Sequence, residues 1–143
     1  MKNEKKLISI ILNCYNGERY LREALTSVQN QTYKNWELIF WDNASTDNSD
    51  KKFNSYKDKR LKYYKSKVNV SLGQARAWAV EKCSGKFISF LDIDDQWFPE
   101  KTSIQINQML KDESVLSYGS IIEIYEKSDN EKLVRVSHNS NNN

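Results

Sequence analysis

Apolar and polar positions alternate along the first two-thirds of the chain in blocks of strand and helix length. Four short runs rich in β-branched and aromatic residues predict strands, at residues 7–12, 36–41, 61–64 and 87–91. Apolar spacings and capping residues predict helices at 20–28, 72–83 and 99–110, and a polar segment predicts a short helix at 47–56. Strand and helix therefore alternate four times.

This alternation predicts an α/β fold with a mostly parallel central sheet and helices on its faces. Weaker apolar runs predict later strands at 115–118, 121–125 and 133–136. No linker or internal repeat interrupts the 143 residues, so we expect a single domain over residues 1–143.

The third helix has recognisable signals at both ends. Ser71 is expected to cap its start and Gly85 to stop it. Its expected apolar stripe consists of Leu72, Ala75, Ala79, Val80 and Cys83. Arg76 lies on the same face, where an arginine needs an anionic partner, either an aspartate of the protein or a phosphate. An arginine that merely reaches out to solvent is the alternative.

Composition removes several classes of function. With 38% hydrophobic residues the chain is not disordered, and a net charge of +3 without a basic face does not predict nucleic-acid binding. Two cysteines and one histidine without ligand spacing make a zinc site unlikely on sequence grounds. The cysteines sit in apolar segments without ligand spacing, which fits a reduced cytoplasmic protein. The apolar run at 7–12 is too short for a signal peptide or membrane span, so we expect any contact with a membrane to be peripheral or through a partner.

Polar residues gather where three of the predicted strands end. They are Asn13, Cys14, Tyr15 and Asn16 after the first strand, Asp42 and Asn43 after the second, and Asp92, Asp94 and Asp95 after the fourth. The carboxyl ends of parallel strands share one edge of the sheet, and ligands of such sheets bind there. The three groups together predict a binding site.

The acidic group suits a divalent cation. In extended backbone Asp92 and Asp94 point the same way, and carboxylates are preferred ligands of Mg²⁺ and Mn²⁺. Because Mg²⁺ takes few protein carboxylates and completes its shell with phosphates and water, the pair fits a metal–diphosphate. Solvated acids that cap the following helix are the alternative.

The other two groups suit a nucleobase. Asp42 and Asn43 offer a carboxylate and an amide that could read a base edge, and the Tyr15 ring could stack on a base. A simple turn is the alternative for the Asp-Asn pair, and taken alone the pair fits a turn better; packing is the alternative for the tyrosine. No glycine-rich phosphate loop is present in the sequence, so a nucleotide would be held by metal, acids and aromatic rings.

Three stretches together resemble the family 2 glycosyltransferases of the GT-A fold. They are "SIILNCYNGERYLREALTSVQNQTYKNWELIFWDNASTD", "NVSLGQARAWAV" and "GKFISFLDIDDQWFPEK", in unbroken order over about residues 7–111. The resemblance implies a nucleotide-diphosphate-sugar donor, a divalent metal (Mn²⁺ or Mg²⁺), and transfer of the sugar with inversion. The acceptor would be a hydroxyl of a saccharide or lipid-linked glycan.

The resemblance also implies roles for individual residues. It assigns nucleotide-sugar binding to Asn13, Tyr15, Asn16, Asp42, Asn43, Arg76 and Asp92. Asp92 and Asp94 match the family's Asp-x-Asp element, with Asp94 the stronger candidate for direct metal contact. Asn13-Cys14 stands where the family often has Pro-Thr or Pro-Ser, and Asn43-Ala44 stands where Asp-Gly is usual, so the base is not named.

Length leaves the activity open. Members of the family usually continue well beyond 143 residues, so we expect the acceptor-binding side to be truncated and assign no catalytic base. A non-catalytic nucleotide-sugar-binding fragment that needs a partner or a missing half is the alternative. A phosphoaspartyl phosphatase with Asp92 as nucleophile fits poorly, because its acidic motif would lie on an early strand.

Overall fold

The computed structural model describes residues 6–119, 121–126 and 132–137. The elements in order are β1 (Ile8–Cys14), α1 (Leu21–Gln29), β2 (Trp36–Asp42), α2 (Ser49–Asn54), β3 (Leu61–Lys65), α3 (Leu72–Val80), β4 (Phe87–Asp92), α4 (Lys101–Asp112), β5 (Ile121–Glu126) and β6 (Lys132–Ser137). The four predicted strands and four predicted helices of the first 112 residues are therefore confirmed.

The first four strands form one parallel sheet in the order β3-β2-β1-β4. The chain moves outward from β1 to β3 and then crosses back to place β4 on the other side of β1. The strand order thus reverses between β1 and β4, which is where open α/β sheets form a crevice at their carboxyl ends.

The two central strands are buried along their whole length. All seven residues of β1 and all seven of β2 are buried, as the continuous apolar runs predicted. Each strand runs one or two residues further than its apolar run, so that Asn13, Cys14 and Asp42 belong to strands. These polar residues are thereby held by the backbone ladder of the sheet, which fixes their positions.

Helices cover both faces of the sheet. On one face Phe40 of β2 stacks on Phe53 of α2, with ring centroids 4.3 Å apart. On the other face α3 packs through Ala75 and Ala79, both fully buried, against a cluster that includes Trp41. The sheet is therefore the middle layer of a three-layer arrangement.

The predicted stripe of α3 was partly wrong. Ala75 and Ala79 form the contact, whereas Leu72 and Val80 are 49% and 37% exposed. The helix ends at Val80, so Cys83 lies beyond it. Alanine has the smallest apolar side chain, and two alanines on one face let the helix approach the bulky Trp41 closely. Larger residues at the helix ends are then turned outward.

Gly85 has a different function from the predicted helix stop. The helix ends five residues before it, and Gly85 lies just before β4. A Cβ atom at this position would be 2.5 Å from the backbone nitrogen of Ser9 and 2.8 Å from the carbonyl oxygen of Leu7. Glycine is required because the chain entering β4 passes directly against β1.

A buried carboxylate links three strands near the start of the sheet. Glu37 of β2 accepts hydrogen bonds from Ser9 Oγ at 2.6 Å, from the Ser84 backbone N–H at 2.7 Å and from Lys62 Nζ at 2.5 Å. Burial alone would raise the pKa of Glu37, but these hydrogen bonds outweigh it and lower the pKa to about 2. Glu37 therefore stays charged inside the fold.

Residues 1–103 and 104–143 form two compact units. In the second unit β5 and β6 pair antiparallel, so the strands predicted at 121–125 and 133–136 are confirmed. The strand predicted at 115–118 is wrong, because residues 114–119 are irregular. Val115 is 97% exposed and Leu116 74%, so this apolar run has no buried face to support a strand. The single domain over 1–143 stays a prediction.

Within the described ranges, none of the helices combines the length and the apolar character needed to cross a membrane.

Candidate functional site

The first and fourth strands bring their polar ends together at the point where the strand order reverses. Asn13 of β1 is in register with Asp92, the last residue of β4. Asn13 is also in register with Trp41 of β2. Side chains of residues in register point to the same face of a sheet. Asp92, Asn13 and Trp41 therefore form one row across the carboxyl edge.

Helix α3 contributes a cation to this row. Arg76 Nη2 donates a hydrogen bond to Asp92 Oδ1 at 2.5 Å, and the Arg76 guanidinium also lies 5.4 Å from the centroid of the Phe90 ring. The anionic partner expected for Arg76 is thus an aspartate of the protein. Both side chains remain partly accessible, so an incoming anion or cation can reach the pair.

The loop beyond β4 adds two carboxylates, Asp94 and Asp95, to the Asp92 that is paired with Arg76. Asp94 and Asp95 are exposed, and the Asp95 backbone N–H donates to the Asp92 carbonyl oxygen at 3.0 Å, which folds the loop back on the strand. Burial raises the pKa of Asp95, and the charges of Asp94 and Asp92 raise it further. In the described part of the chain, no three His, Cys, Asp or Glu side chains converge as a metal site would need.

Asp42 is fully buried and its carboxylate is occupied by the protein. Oδ1 accepts from the Ser45 backbone N–H at 2.7 Å, and Oδ2 accepts from the Tyr63 hydroxyl at 2.7 Å. Lys65 Nζ lies 3.3 Å from Oδ2. Burial and the hydrogen bond to Asp42 raise the pKa of Tyr63 well above its usual range. The carboxylate thus organises the turn after β2, and its contact with a base stays a prediction.

Asn43 is also engaged within the protein. Its Nδ2 donates to the Val70 carbonyl oxygen at 2.7 Å, and its Oδ1 accepts from the Val70 backbone N–H at 3.1 Å. Ser66 Oγ donates to the same Oδ1 at 3.4 Å. The side chain therefore clamps the segment before α3 to the end of β2. A contact of Asn43 with a base or ribose stays a prediction.

Two loops at the carboxyl edge are tied to each other. Asn16 has a positive φ of 51°, a conformation that asparagine adopts more readily than most residues, and its Oδ1 accepts from the Thr46 backbone N–H at 2.8 Å. The Glu18 backbone N–H donates to Asp47 Oδ2 at 2.9 Å. The sequence did not predict this hydrogen bond between Glu18 and Asp47, because the two residues are 29 positions apart in the chain.

Tyr15 lies in the first of these loops with its ring 53% exposed. An exposed aromatic face at the ligand edge of the sheet is available for stacking. The structure thus brings Asn13 and Asp92 into one row, with Arg76 bonded to Asp92, and leaves Tyr15 and Asp94 exposed in the loops that follow β1 and β4. Asn16, Asp42 and Asn43 instead hold the surrounding loops in place.

Comparison with known proteins decides the family. The sequence model described as "Glycosyl transferase family 2" matches residues 9–142. The chain belongs to glycosyltransferase family 2. Its fold is that of the GT-A glycosyltransferases, as the sequence resemblance implied.

Curated relatives of this family 2 chain are named glycosyltransferases. It is 38% identical to the Escherichia coli UDP-Glc:α-D-GlcNAc-diphosphoundecaprenol β-1,3-glucosyltransferase WfgD, over 90% of this chain and 49% of the relative. It is 41% identical to an uncharacterized glycosyltransferase of Haemophilus influenzae, over 80% of this chain and 46% of the relative. The chain thus spans about half the length of these relatives.

Solved structures support the same family assignment. Staphylococcus aureus TarS 1–349 in complex with UDP superposes with a TM-score of 0.69 at 28% identity, over 73% of this chain and 32% of that one. The mannosyltransferase PcManGT of Pyrobaculum calidifontis, in complex with GDP-Man and Mn²⁺, superposes with a TM-score of 0.70 at 21% identity. That match covers 82% of this chain and 35% of PcManGT, and it supports the fold alone.

Proposed function

We propose that this chain binds a nucleotide-diphosphate sugar at the carboxyl edge of its parallel sheet. It would form the donor-binding part of an inverting glycosyltransferase that passes the sugar to a hydroxyl of a saccharide or lipid-linked glycan. The observation that carries the proposal is the register of Asn13 with Asp92, with Arg76 bonded to Asp92, at the point where the strand order reverses. The family assignment supports it.

Each part of the donor has a matching group along this edge. The exposed Tyr15 ring can stack on the base, since every nucleobase has a π-face. Arg76 is a partly accessible guanidinium that can share its charge between Asp92 and a phosphate oxygen. TarS with bound UDP and the UDP-Glc dependence in the name of WfgD support a uridine nucleotide as the first candidate.

The acidic loop fits a divalent cation. Asp92 and Asp94 supply two hard oxygen ligands, which is as many protein carboxylates as Mg²⁺ commonly uses beside substrate phosphates. Asp95 lies directly after this pair, and desolvation together with the charges of Asp94 and Asp92 raises its pKa. We therefore assign Asp92 and Asp94 as the residues that would hold Mn²⁺ or Mg²⁺. Such a cation would supply positive charge to the leaving diphosphate.

The proposed reaction is a direct displacement at the anomeric carbon. The acceptor oxygen would form a bond to that carbon on the face opposite the diphosphate, while the bond from carbon to the diphosphate oxygen breaks and the configuration inverts. A base must take the acceptor's proton. No residue of this chain is assigned as that base. Arg76 would balance charge on the diphosphate as it leaves.

A second candidate function is a non-catalytic nucleotide-sugar-binding module. The register of Asn13 with Asp92 and the contact of Arg76 with Asp92 support donor binding, and no residue is assigned as the catalytic base that transfer requires. A turnover assay distinguishes the glycosyltransferase from the non-catalytic binding module. Release of nucleoside diphosphate in the presence of donor and a mixture of lipid-linked and free saccharide acceptors supports the enzyme. Donor binding without any such release supports the module.

The location of the reaction follows from the acceptor class. WfgD is named for a diphosphoundecaprenol-linked acceptor, and such a lipid resides in a membrane. For this chain we propose work on a lipid-linked or glycan acceptor in polysaccharide biosynthesis, at the cytoplasmic face of the membrane through peripheral association. Co-sedimentation of the chain with vesicles that contain the lipid acceptor tests this, with acceptor-free vesicles as the control.

The central experiment is a binding screen by calorimetry and thermal shift. The chain is titrated with UDP, GDP, dTDP and CDP, each with and without Mn²⁺. A ligand at about 100 times its dissociation constant stabilises a fold by about 2.7 kcal/mol, which is easily measured. We expect metal-dependent binding of one nucleotide. Absence of binding for all four, with metal present, contradicts the proposed function.

A further inference from the structure

Four buried side-chain atoms in the described part of the chain have no hydrogen-bond partner, and all four are N–H donors. They are Asn13 Nδ2, Trp36 Nε1, Trp41 Nε1 and Arg76 Nε. A buried donor without an acceptor destabilises a fold, so each such atom calls for an explanation. A set made only of donors indicates that what is missing is an acceptor.

Three of the four donors belong to one place. Asn13 and Trp41 are in register on neighbouring strands, and Asn13 is in register with Asp92 on its other side. Arg76 reaches Asp92 from α3. The Asn13, Trp41 and Arg76 donors therefore all belong to the sheet face that α3 covers, toward its carboxyl edge. Trp36 lies at the opposite end of β2.

Asp42 and Asn43, which were expected to contact the base, have no buried side-chain polar atom without a hydrogen-bond partner. Both oxygens of Asp42 accept hydrogen bonds within the protein, and both polar atoms of the Asn43 side chain are bonded to the segment before α3. Asn13 differs from both, because it is 8% exposed and its Nδ2 is unpaired. Among the polar residues at the ends of β1 and β2, Asn13 is left with a free buried donor.

We propose that Asn13 is a specificity-determining residue that donates from Nδ2 to a carbonyl oxygen of the nucleobase. This inference rests on the proposed function, since it names the group that reads the base of the same donor. Uracil, thymine, cytosine and guanine carry a carbonyl oxygen, whereas adenine does not. Asn13 therefore selects against adenine nucleotides, while Tyr15 stacks on any base without distinction.

Replacing Asn13 separates this role from a structural one. Asn13→Leu fills the same space without polar atoms, so the unliganded variant should melt no lower than the wild type because the unpaired donor is gone. Its affinity for the preferred carbonyl-bearing nucleotide should fall about tenfold. A purely structural asparagine would give the opposite pattern, with a lower melting temperature and an unchanged affinity.

The test is calorimetric titration of wild type and variants with UDP, GDP, dTDP, CDP and ADP in the presence of Mn²⁺. Trp36→Phe is the matched control, because it removes an unpaired buried donor far from the carboxyl edge, and its affinity should stay within twofold of the wild type. Asn13→Ala is the second variant if leucine prevents folding. In either Asn13 variant the preference over ADP should shrink about tenfold.

Three results overturn the inference, and they show whether the proposed function fails with it. If the wild type binds a carbonyl-bearing nucleotide and the Asn13 variants bind it equally well, Asn13 does not read the base while the proposed function stands. If the wild type binds ADP as tightly as the carbonyl-bearing nucleotide, Asn13 likewise does not select the base, and the proposed function again stands. If the wild type binds none of the nucleotides, the proposed function fails and this inference fails with it.

Discussion

Arg76 Nη2 of helix α3 lies 2.5 Å from Asp92 Oδ1 at the end of β4. This ion pair joins the helix that covers the site to the strand that delivers the acidic loop. It also neutralises one carboxylate of the pair that would hold a cation. The two residues therefore govern the charge of the site together, and their effects on ligand binding should be coupled.

Replacement of Arg76 by methionine should weaken nucleoside diphosphate binding about tenfold, because the diphosphate loses a cation that the protein has already positioned. Titration of the preferred nucleoside diphosphate against both proteins measures this. The matched control is Arg22→Met on the exposed side of α1, which should change the affinity by less than twofold. An Arg76 variant that binds like the Arg22 variant contradicts the assignment.

Asp94→Ala should abolish the metal dependence of donor binding and leave the fold intact, because Asp94 is exposed in the loop after β4. Nucleotide affinity is measured with and without Mn²⁺, and the melting temperature reports the fold. Glu81→Ala, an exposed acid at the far end of α3, serves as the control and should retain the Mn²⁺ effect. A full Mn²⁺ effect in Asp94→Ala removes this residue from the metal site.

Tyr15→Ala should weaken nucleotide binding by about 1–3 kcal/mol, the free energy of one contact between a base and an aromatic ring. The loss should be similar for all bases, since stacking does not distinguish them. Tyr20→Ala is the control, because Tyr20 is 42% exposed and lies at the start of α1, where its side chain makes no capping hydrogen bond. Stacking is refuted when both variants lose the same small amount of affinity.

Acid should destabilise the chain through Glu37. Its pKa is lowered from 4.5 to about 2, so its contribution to the free energy of unfolding is complete above pH 4.5. That contribution is lost as the pH falls from 4.5 towards 2, and it amounts to about 2–3 kcal/mol. Urea unfolding of wild type and Glu37→Gln at pH 7 and near pH 2 measures it. The difference between the two proteins should shrink in acid, and a constant difference would contradict the prediction.

Gly85→Ala and Gly73→Ala should have opposite effects on stability. A Cβ at Gly85 would lie 2.5 Å from the Ser9 backbone nitrogen, so we expect a loss of about 2 kcal/mol or more. A Cβ at Gly73 in α3 would meet nothing within 4 Å, so alanine should stabilise the helix by about 0.5–1 kcal/mol. Chemical unfolding of both variants measures the change in the free energy of unfolding. If Gly85→Ala stabilises the protein as Gly73→Ala does, the close contact described at Gly85 is contradicted.

Local signals in the sequence were sufficient for most of the elements and for the edge of the sheet at which the polar residues gather. The apolar runs predicted β1 and β2 because strands buried on both faces have continuous apolar sequences. The polar residues at their ends predicted a ligand edge because parallel strands share a direction. The strand predicted at 115–118 was wrong because that prediction also rested on local composition. The segment has the composition of a strand, but Val115 and Leu116 are exposed rather than packed against a sheet.

The tertiary structure decided which polar groups at that edge are free. Asp42 and Asn43 looked like ligand-binding residues, and both turned out to be bonded within the protein. Asn13 departs from the usual family sequence, and it alone among these three has an unpaired buried donor. The sequence by itself determined the kinds of chemical group at the carboxyl edge, because composition and spacing are local. Their availability depends on strand register and on where α3 packs, and these bring together residues far apart in the chain.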